Sequence, residues 1–256
     1  MQSSNNHLQT QNTAPAQLAT PTPKHSLAAR GLDDIKQLGN ASVETAEEMN
    51  IKGESFLNLV RKKGLDETQQ LNLCLQALNA FHKAADMGYV RAQATLGIMY
   101  ADILWGDLHD KEKSVYWWRK AAEQGDSDSQ CTLGSLYERG YGVAQDNVQA
   151  VHWYRKAADQ GDEFGQYHLG IMYANGSGVA QDNKQAFDLF VKSAEHGLNE
   201  AQFMLGCIFE NGDLVAQDNQ QATYWYAKAA EQDHEMAKKS LTHLEQEIKD
   251  KNNELS

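Results

Sequence analysis

The chain has 256 residues and a formal net charge of −12 at pH 7, with 35 acidic residues against 23 Lys and Arg. Nucleic-acid backbones and anionic lipid surfaces are held by clustered cations. Here the bases are scattered among a larger number of acids, so neither partner is expected. Three cysteines, Cys74, Cys131 and Cys207, are an odd number spaced far apart, which implies no disulfide framework and no CxxC metal clip; free thiols in a reducing compartment are expected.

Residues 1–26 hold all three prolines (Pro15, Pro21, Pro23) and are rich in Gln, Asn, Ser and Thr. Such a stretch buries too little apolar surface to offset its ordering entropy, and a disordered tail is predicted. It carries no basic run before Lys24 and no apolar core of a signal peptide, so a cytoplasmic location is expected. No segment reaches the roughly 18 apolar residues that a membrane-spanning helix needs. Residues 27–45 read as a linker or weak helix.

From there the chain repeats itself. Leu-Gly falls at Leu96-Gly97, Leu133-Gly134, Leu169-Gly170 and Leu205-Gly206, with spacings of 37, 36 and 36 residues. Lys-Ala-Ala or Lys-Ser-Ala begins at Lys83, Lys120, Lys156, Lys192 and Lys228, and Ala-Gln-Asp-Asn recurs at 144, 180 and 216. Independent motifs in one register mark a tandem array. The units run 46–89 (degenerate), 90–126, 127–162, 163–198 and 199–233, followed by a capping helix and tail over 234–256.

Each unit reads as two amphipathic helices. Ser129, Thr132, Leu133, Leu136 and Tyr137 keep the spacing of one helical face, as do Gly165, His168, Leu169, Met172 and Tyr173. The second helix has its own stripe, Ala150, Trp153, Tyr154, Ala157 and Ala158, matched in the first unit by Ala77, Ala80, Phe81, Ala84 and Ala85. Asp146, Asp182 and Asp218 precede second helices with Gln149, Gln185 and Gln221 three residues on, the pattern of a reciprocal capping box. Gly140, Gly176 and Gly212 are placed to end first helices, and Gly125, Gly161 and Gly197 to end second ones. The mid-helix glycines 97, 134, 170 and 206 cost about 1 kcal/mol each against alanine. Their recurrence predicts a close helix contact, with the Ala-Ala pair of the neighbouring helix pressed against the glycine.

These residues resemble the Sel1-like repeat family, a branch of the tetratricopeptide superfamily. Copy three carries nearly the whole signature: Leu133, Gly134, Tyr137, Gly140, Gly142, Val143, Asp146, Ala150, Trp153, Tyr154, Lys156, Ala157, Ala158 and Gly161. Copy two departs from it by replacing the Gly-x-Gly-Val loop with residues 102–110, and copy one keeps only Gly53-x-x-Phe56 and a longer loop. The resemblance implies an all-α, right-handed α/α superhelical solenoid of about five two-helix repeats with a C-terminal capping helix. It also implies a concave groove, lined by the first helices, that binds protein.

Groove positions carried over from the tetratricopeptide pattern fall five and two before the Leu-Gly leucine, then two, five and six after it. They give Arg91, Ala94, Ile98, Ala101 and Asp102, then Asp128, Cys131, Ser135, Glu138 and Arg139. The next two sets are Phe164, Tyr167, Ile171, Ala174 and Asn175, then Glu200, Phe203, Cys207, Glu210 and Asn211. Phe164, Tyr167, Ile171 and Phe203 would form an apolar ridge flanked by acids. Tyr167 and Phe203 fit packing between repeats equally well.

Signals of chemistry are poor. The nine histidines are thinly spread, His168 sits on an apolar stripe as a core histidine would, and there is no GxSxG elbow or P-loop. Neither a catalytic residue, a cofactor nor a metal is expected. The expected role is a monomeric, non-enzymatic scaffold or adaptor binding a partner protein or peptide. The alternative is a bacterial effector, or an effector-immunity or regulatory protein, using the same groove. Cysteine-rich members of the family described as penicillin-binding or β-lactamase-like suggest an enzyme, but they carry paired cysteines in each repeat, which this chain lacks.

Overall fold

The structure is a computed structural model that describes residues 44–61, 64–101 and 109–254. The tail 1–26, the linker up to residue 43 and most of the copy-two loop, including the groove candidate Asp102, lie outside the described residues. Among the described residues there are eleven α-helices and no strand. Helices α1 (Ala46–Val60) and α2 (Glu67–Asp86) form the first pair, α3 (Val90–Ala101) and α4 (Lys111–Glu123) the second, and α5 (Ser127–Arg139) and α6 (Asn147–Asp159) the third. The pairs α7 (Glu163–Asn175) with α8 (Asn183–Glu195) and α9 (Asn199–Asn211) with α10 (Asn219–Glu231) follow, and α11 (Glu235–Glu254) ends the array. Each helix packs chiefly on the one before and the one after it, so the fold is a solenoid.

Capping aspartates set where the helices start. The Asp146 carboxylate accepts from the amides of Val148 and Gln149, Asp182 from Gln185 and Asp218 from Gln220 and Gln221. The reciprocal half of the expected capping box does not form at these three sites. Each aspartate's own amide instead donates to a first-helix carbonyl, Asp146 to Tyr137, Asp182 to Tyr173 and Asp218 to Phe209, at 2.8–3.0 Å. That bond ties the helix start to the end of its partner, so the glutamine has no orphan amide to serve. A complete box closes at Asp66 with Gln69 in the longer first-unit loop. Gly140, Gly176 and Gly212 end α5, α7 and α9 in the left-handed region, at φ of 65°, 66° and 76°.

The mid-helix glycines do mark close contacts, but against aromatic faces rather than the Ala-Ala pair. A Cβ on Gly97 would lie 2.8 Å from the Trp118 ring, on Gly134 2.7 Å from Tyr154, on Gly170 2.8 Å from Phe190 and on Gly206 2.4 Å from Tyr226. Gly53 meets Phe81 in the same way at 2.8 Å, so the degenerate first unit keeps the contact that defines the others. The Ala-Ala pair serves the junction to the following unit: a Cβ on Gly165, at the start of α7, would lie 2.6 Å from the Cβ of Ala157. The same position is Ala92, Ser129 and Ala201 in the other units, all fully buried. Large rings close each pair and small residues close the step between pairs.

A polar spine runs beside this core. Gln93, Gln130, Gln166 and Gln202, each three residues before a Leu-Gly leucine, are 4–6 % exposed. The side-chain amides of Gln93, Gln130 and Gln202 donate to the carbonyls of Ala85, Ala122 and Ala194 in the preceding second helix. Buried polar groups persist only when paired in this way.

Candidate interaction surface

The first helices form one row of the array, the inner row of the solenoid that the resemblance implies, and the second helices form the other. Helix α5 touches α7 and α9 touches α11 directly, while no two second helices approach each other as closely. The expected groove positions lie on this row, on α3, α5, α7 and α9.

Two large apolar residues of the expected groove are exposed on that row, Ile98 at 56 % and Phe164 at 48 %. Asp128, Arg139, Asn175, Glu200 and Asn211 are also exposed, whereas Cys131, Glu138, Tyr167, Ile171, Phe203, Cys207 and Glu210 are half-buried. Tyr167 leans on Phe190 with ring centroids 5.9 Å apart. Phe203 is held between Tyr226 at 5.7 Å and a stacked His234 at 4.6 Å. The apolar ridge is therefore uneven, with Phe164 protruding and Tyr167, Ile171 and Phe203 recessed.

The recessed acids are anchored from below. Tyr154, lying over Gly134, donates its hydroxyl to Glu138 at 2.6 Å, and Tyr226, lying over Gly206, donates to Glu210 at 2.5 Å and reaches the Cys207 sulfur at 3.3 Å. Burial and then the acceptor groups push both phenols far above their usual range. They stay protonated donors, and the carboxylates stay oriented.

The thiols are held protonated. Burial first, then the carboxylates of Asp162, Asp128 and Glu163, push the Cys131 thiol up to about 12. Cys207 and Cys74 are raised chiefly by burial. A reactive cysteine needs the opposite surroundings. His168 stacks on Tyr154 at 5.0 Å and meets the edge of Tyr167 at 5.5 Å, and burial pushes its pKa down. Among the described residues no three His, Cys, Asp or Glu side chains converge in a way that would hold a metal ion. A cleft of ≈ 460 Å³ opens at the end of α5, lined by Ala101, Lys111, Arg139 and Tyr141 among others.

Two further acids, Asp162 and its neighbour Glu163, stand at the start of α7 beside Asp128 and escape the carried-over groove pattern. Asp162 caps α7 by accepting from Gly165 at 2.6 Å. Burial first, and then the neighbouring Asp128 and Glu163, raise its carboxyl above the ordinary aspartate range. Its sequence signal is its place as the residue before a first helix, a phase at which Asp126 also stands.

The Sel1 repeat family model matches residues 90–126, 127–162, 164–198 and 199–234, more than half of the chain. The chain belongs to the Sel1 repeat family. Its array is similar to the crystal structure of a Sel1 repeat protein from Oxalobacter formigenes, with a TM-score of 0.64, 29% identity and 73% of each chain covered. It also matches c5321, a protective antigen of uropathogenic Escherichia coli strains displaying an SLR fold, at 30% identity over 84% of this chain and 58% of that one, with a TM-score of 0.32. DAP3-binding cell death enhancer 1 of Rattus norvegicus is 38% identical over 72 residues, which are 28% of this chain. The match spans only 13% of the length of that curated relative. The α1–α2 pair lies outside the matched residues; Gly53 meets Phe81 within it, and α2 packs on α3.

Proposed function

We propose that this Sel1 repeat chain is a non-enzymatic scaffold whose inner row of first helices holds another protein or a peptide. The observation that carries the reading is the exposure of two large apolar side chains, Ile98 and Phe164, on the row that the solenoid leaves unfilled. Neither ring stacks nor hydrogen bonds occupy them, and an apolar anchor in a concave polar setting is how helical repeat arrays engage a ligand. The raised Cys131, Cys207 and Cys74 thiols argue against thiolate chemistry at this surface.

The test is quantitative. The doubly substituted chain Ile98→Asp with Phe164→Asp keeps its helical circular dichroism, since neither side chain fills the core. Its affinity for the physiological protein ligand falls by about thirtyfold, the size of a hot-spot loss near 2 kcal/mol. Tyr116→Asp with Tyr224→Asp serves as the matched control, because these rings are 52% and 51% exposed on second helices. Unchanged affinity in the first variant, or an equal loss in the second, removes the inner row from the binding surface.

A further inference from the structure

The charges of the central units are sorted by helix. From α5 to α9 the first helices carry Asp128, Glu138, Glu163, Glu200 and Glu210 against Arg139 alone, while α6, α8 and α10 carry Arg155, Lys156, Lys184, Lys192 and Lys228. The second helices also hold acids, Asp159, Asp188, Glu195 and Glu231, so their face is balanced and the inner face is not. A bundle that needed charge only for solubility would show no such division between its two rows.

The inner acids are also unneutralised. Among the described residues no Lys, Arg or His approaches any of those five, nor Asp162, within the 4.0 Å of an ion pair, and the carboxylates of Glu138 and Glu210 accept from tyrosine hydroxyls. Asp128 lies close enough to oppose the ionisation of Asp162, and the Cys131 thiol on α5 responds to both carboxylates. Like charges gathered on one concave face raise the local concentration of cations and repel anions.

We infer that the inner face takes a basic segment: a peptide stretch rich in lysine or arginine that also carries an aliphatic or aromatic side chain to seat beside Phe164 or Ile98. The inference rests on the reading of the inner row as the binding surface and adds the chemistry of the partner. The bases of the segment meet carboxylates that have no cation of their own, so complex formation costs no existing ion pair. Its apolar residue covers the exposed anchors.

Three labelled peptides of equal length, sharing leucine and tryptophan at the same positions and bearing lysine, glutamine or glutamate at the others, test this against the full chain by fluorescence anisotropy. The lysine peptide is expected to bind about tenfold tighter than the glutamine peptide and to weaken as salt shortens the Debye length. Neutralising the inner face with Asp128→Asn, Glu163→Gln and Glu200→Gln lowers that affinity about tenfold. The matched convex change, Asp159→Asn, Asp188→Asn and Glu195→Gln, alters net charge equally and leaves affinity within about twofold. Thermal melts of both variants and the milder Glu200→Gln alone separate lost binding from lost fold. Equal effects of the two triple variants, or no binding by the lysine peptide, overturn the inference. Binding of the glutamine or glutamate peptide as tight as that of the lysine peptide, and abolished by Phe164→Ser, overturns the basic partner while keeping the inner surface. Binding of the lysine peptide that ignores both Phe164→Ser and the inner neutralisation overturns the surface as well.

Discussion

Gly134 lacks a side chain for a reason that its own helix does not supply. In an exposed helix interior, alanine in place of glycine gains about 1 kcal/mol. Here the new Cβ would meet the Tyr154 ring at 2.7 Å, and that ring has little room to withdraw. Its hydroxyl is bonded to Glu138, its face is stacked on His168, and it is wholly buried. Overpacking of this kind costs about 1–3 kcal/mol, so the gain is cancelled or reversed and Gly134→Ala destabilises the array by up to about 2 kcal/mol once the helix gain is deducted. Urea unfolding checks it, and a rise in midpoint would show that the ring yields. The spacing of Leu-Gly makes this contact legible in sequence, down to the mid-helix glycine at fault. What meets the glycine is not legible, since a repeat phase gives position along a helix but not the direction from which its neighbour arrives. Tyr154 and the Ala157-Ala158 pair lie on one stripe of α6, and only the coordinates assign the ring to Gly134 and an alanine of the pair to Gly165.

At the scale of elements, the join between repeats is partly polar. The buried oxygens of Gln93, Gln130 and Gln202 accept from Gln124, Gln160 and Gln232, each of which follows a second helix, at 2.7–2.8 Å. In the fourth unit that position is His196, and the oxygen of the buried Gln166 has no donor. A buried acceptor left unpaired costs about 1–3 kcal/mol. His196→Gln restores the donor on an exposed helix end, and a stabilisation of about 1 kcal/mol is expected, read as a higher melting temperature. An unchanged melting temperature would mean that the carbonyl at 166 already has what it needs. The four glutamines are as regular in sequence as the Leu-Gly pairs. They escape a search for amphipathic faces because a polar residue on the apolar side looks like an interruption of the stripe. The capping aspartates show the complementary limit. Their role is legible, but the missing half of the box depends on carbonyls of Tyr137, Tyr173 and Phe209 that no local pattern reveals. The interaction surface is the least legible element. The carried-over spacing selects the inner row, yet it ranks Phe203 with Phe164, although one is clamped by Tyr226 and His234 while the other is open.

For the molecule as a whole, contacts that run chiefly between successive helices make stability nearly a sum of unit terms and neighbour terms. The last unit has a neighbour on one side only, and α11 supplies the missing interface. Ala237 and Leu244 are fully buried there, with Leu241 and Ile248 half-buried on the same face, covering Ala222, Tyr226 and Ala229 of α10. Most of the other described side chains of α11 are exposed, Lys and Glu prominent among them. Leu244→Ala removes a side chain that is 1% exposed, a change that costs about 2–5 kcal/mol in a packed core. In a compact domain that loss would lower the protection of every core amide alike. In a chain of neighbour terms it stays near the end. Native-state hydrogen exchange should show α9, α10 and α11 opening sooner while α5 and α6 keep their protection. Equal loss along the whole array would mean that the units fold as one cooperative body. The inner face of the central pairs would then share in any damage to the cap. If the loss is local instead, the acidic inner face of α5 and α7 persists when the end frays, and a chain altered at Leu244 still presents Phe164 to a ligand.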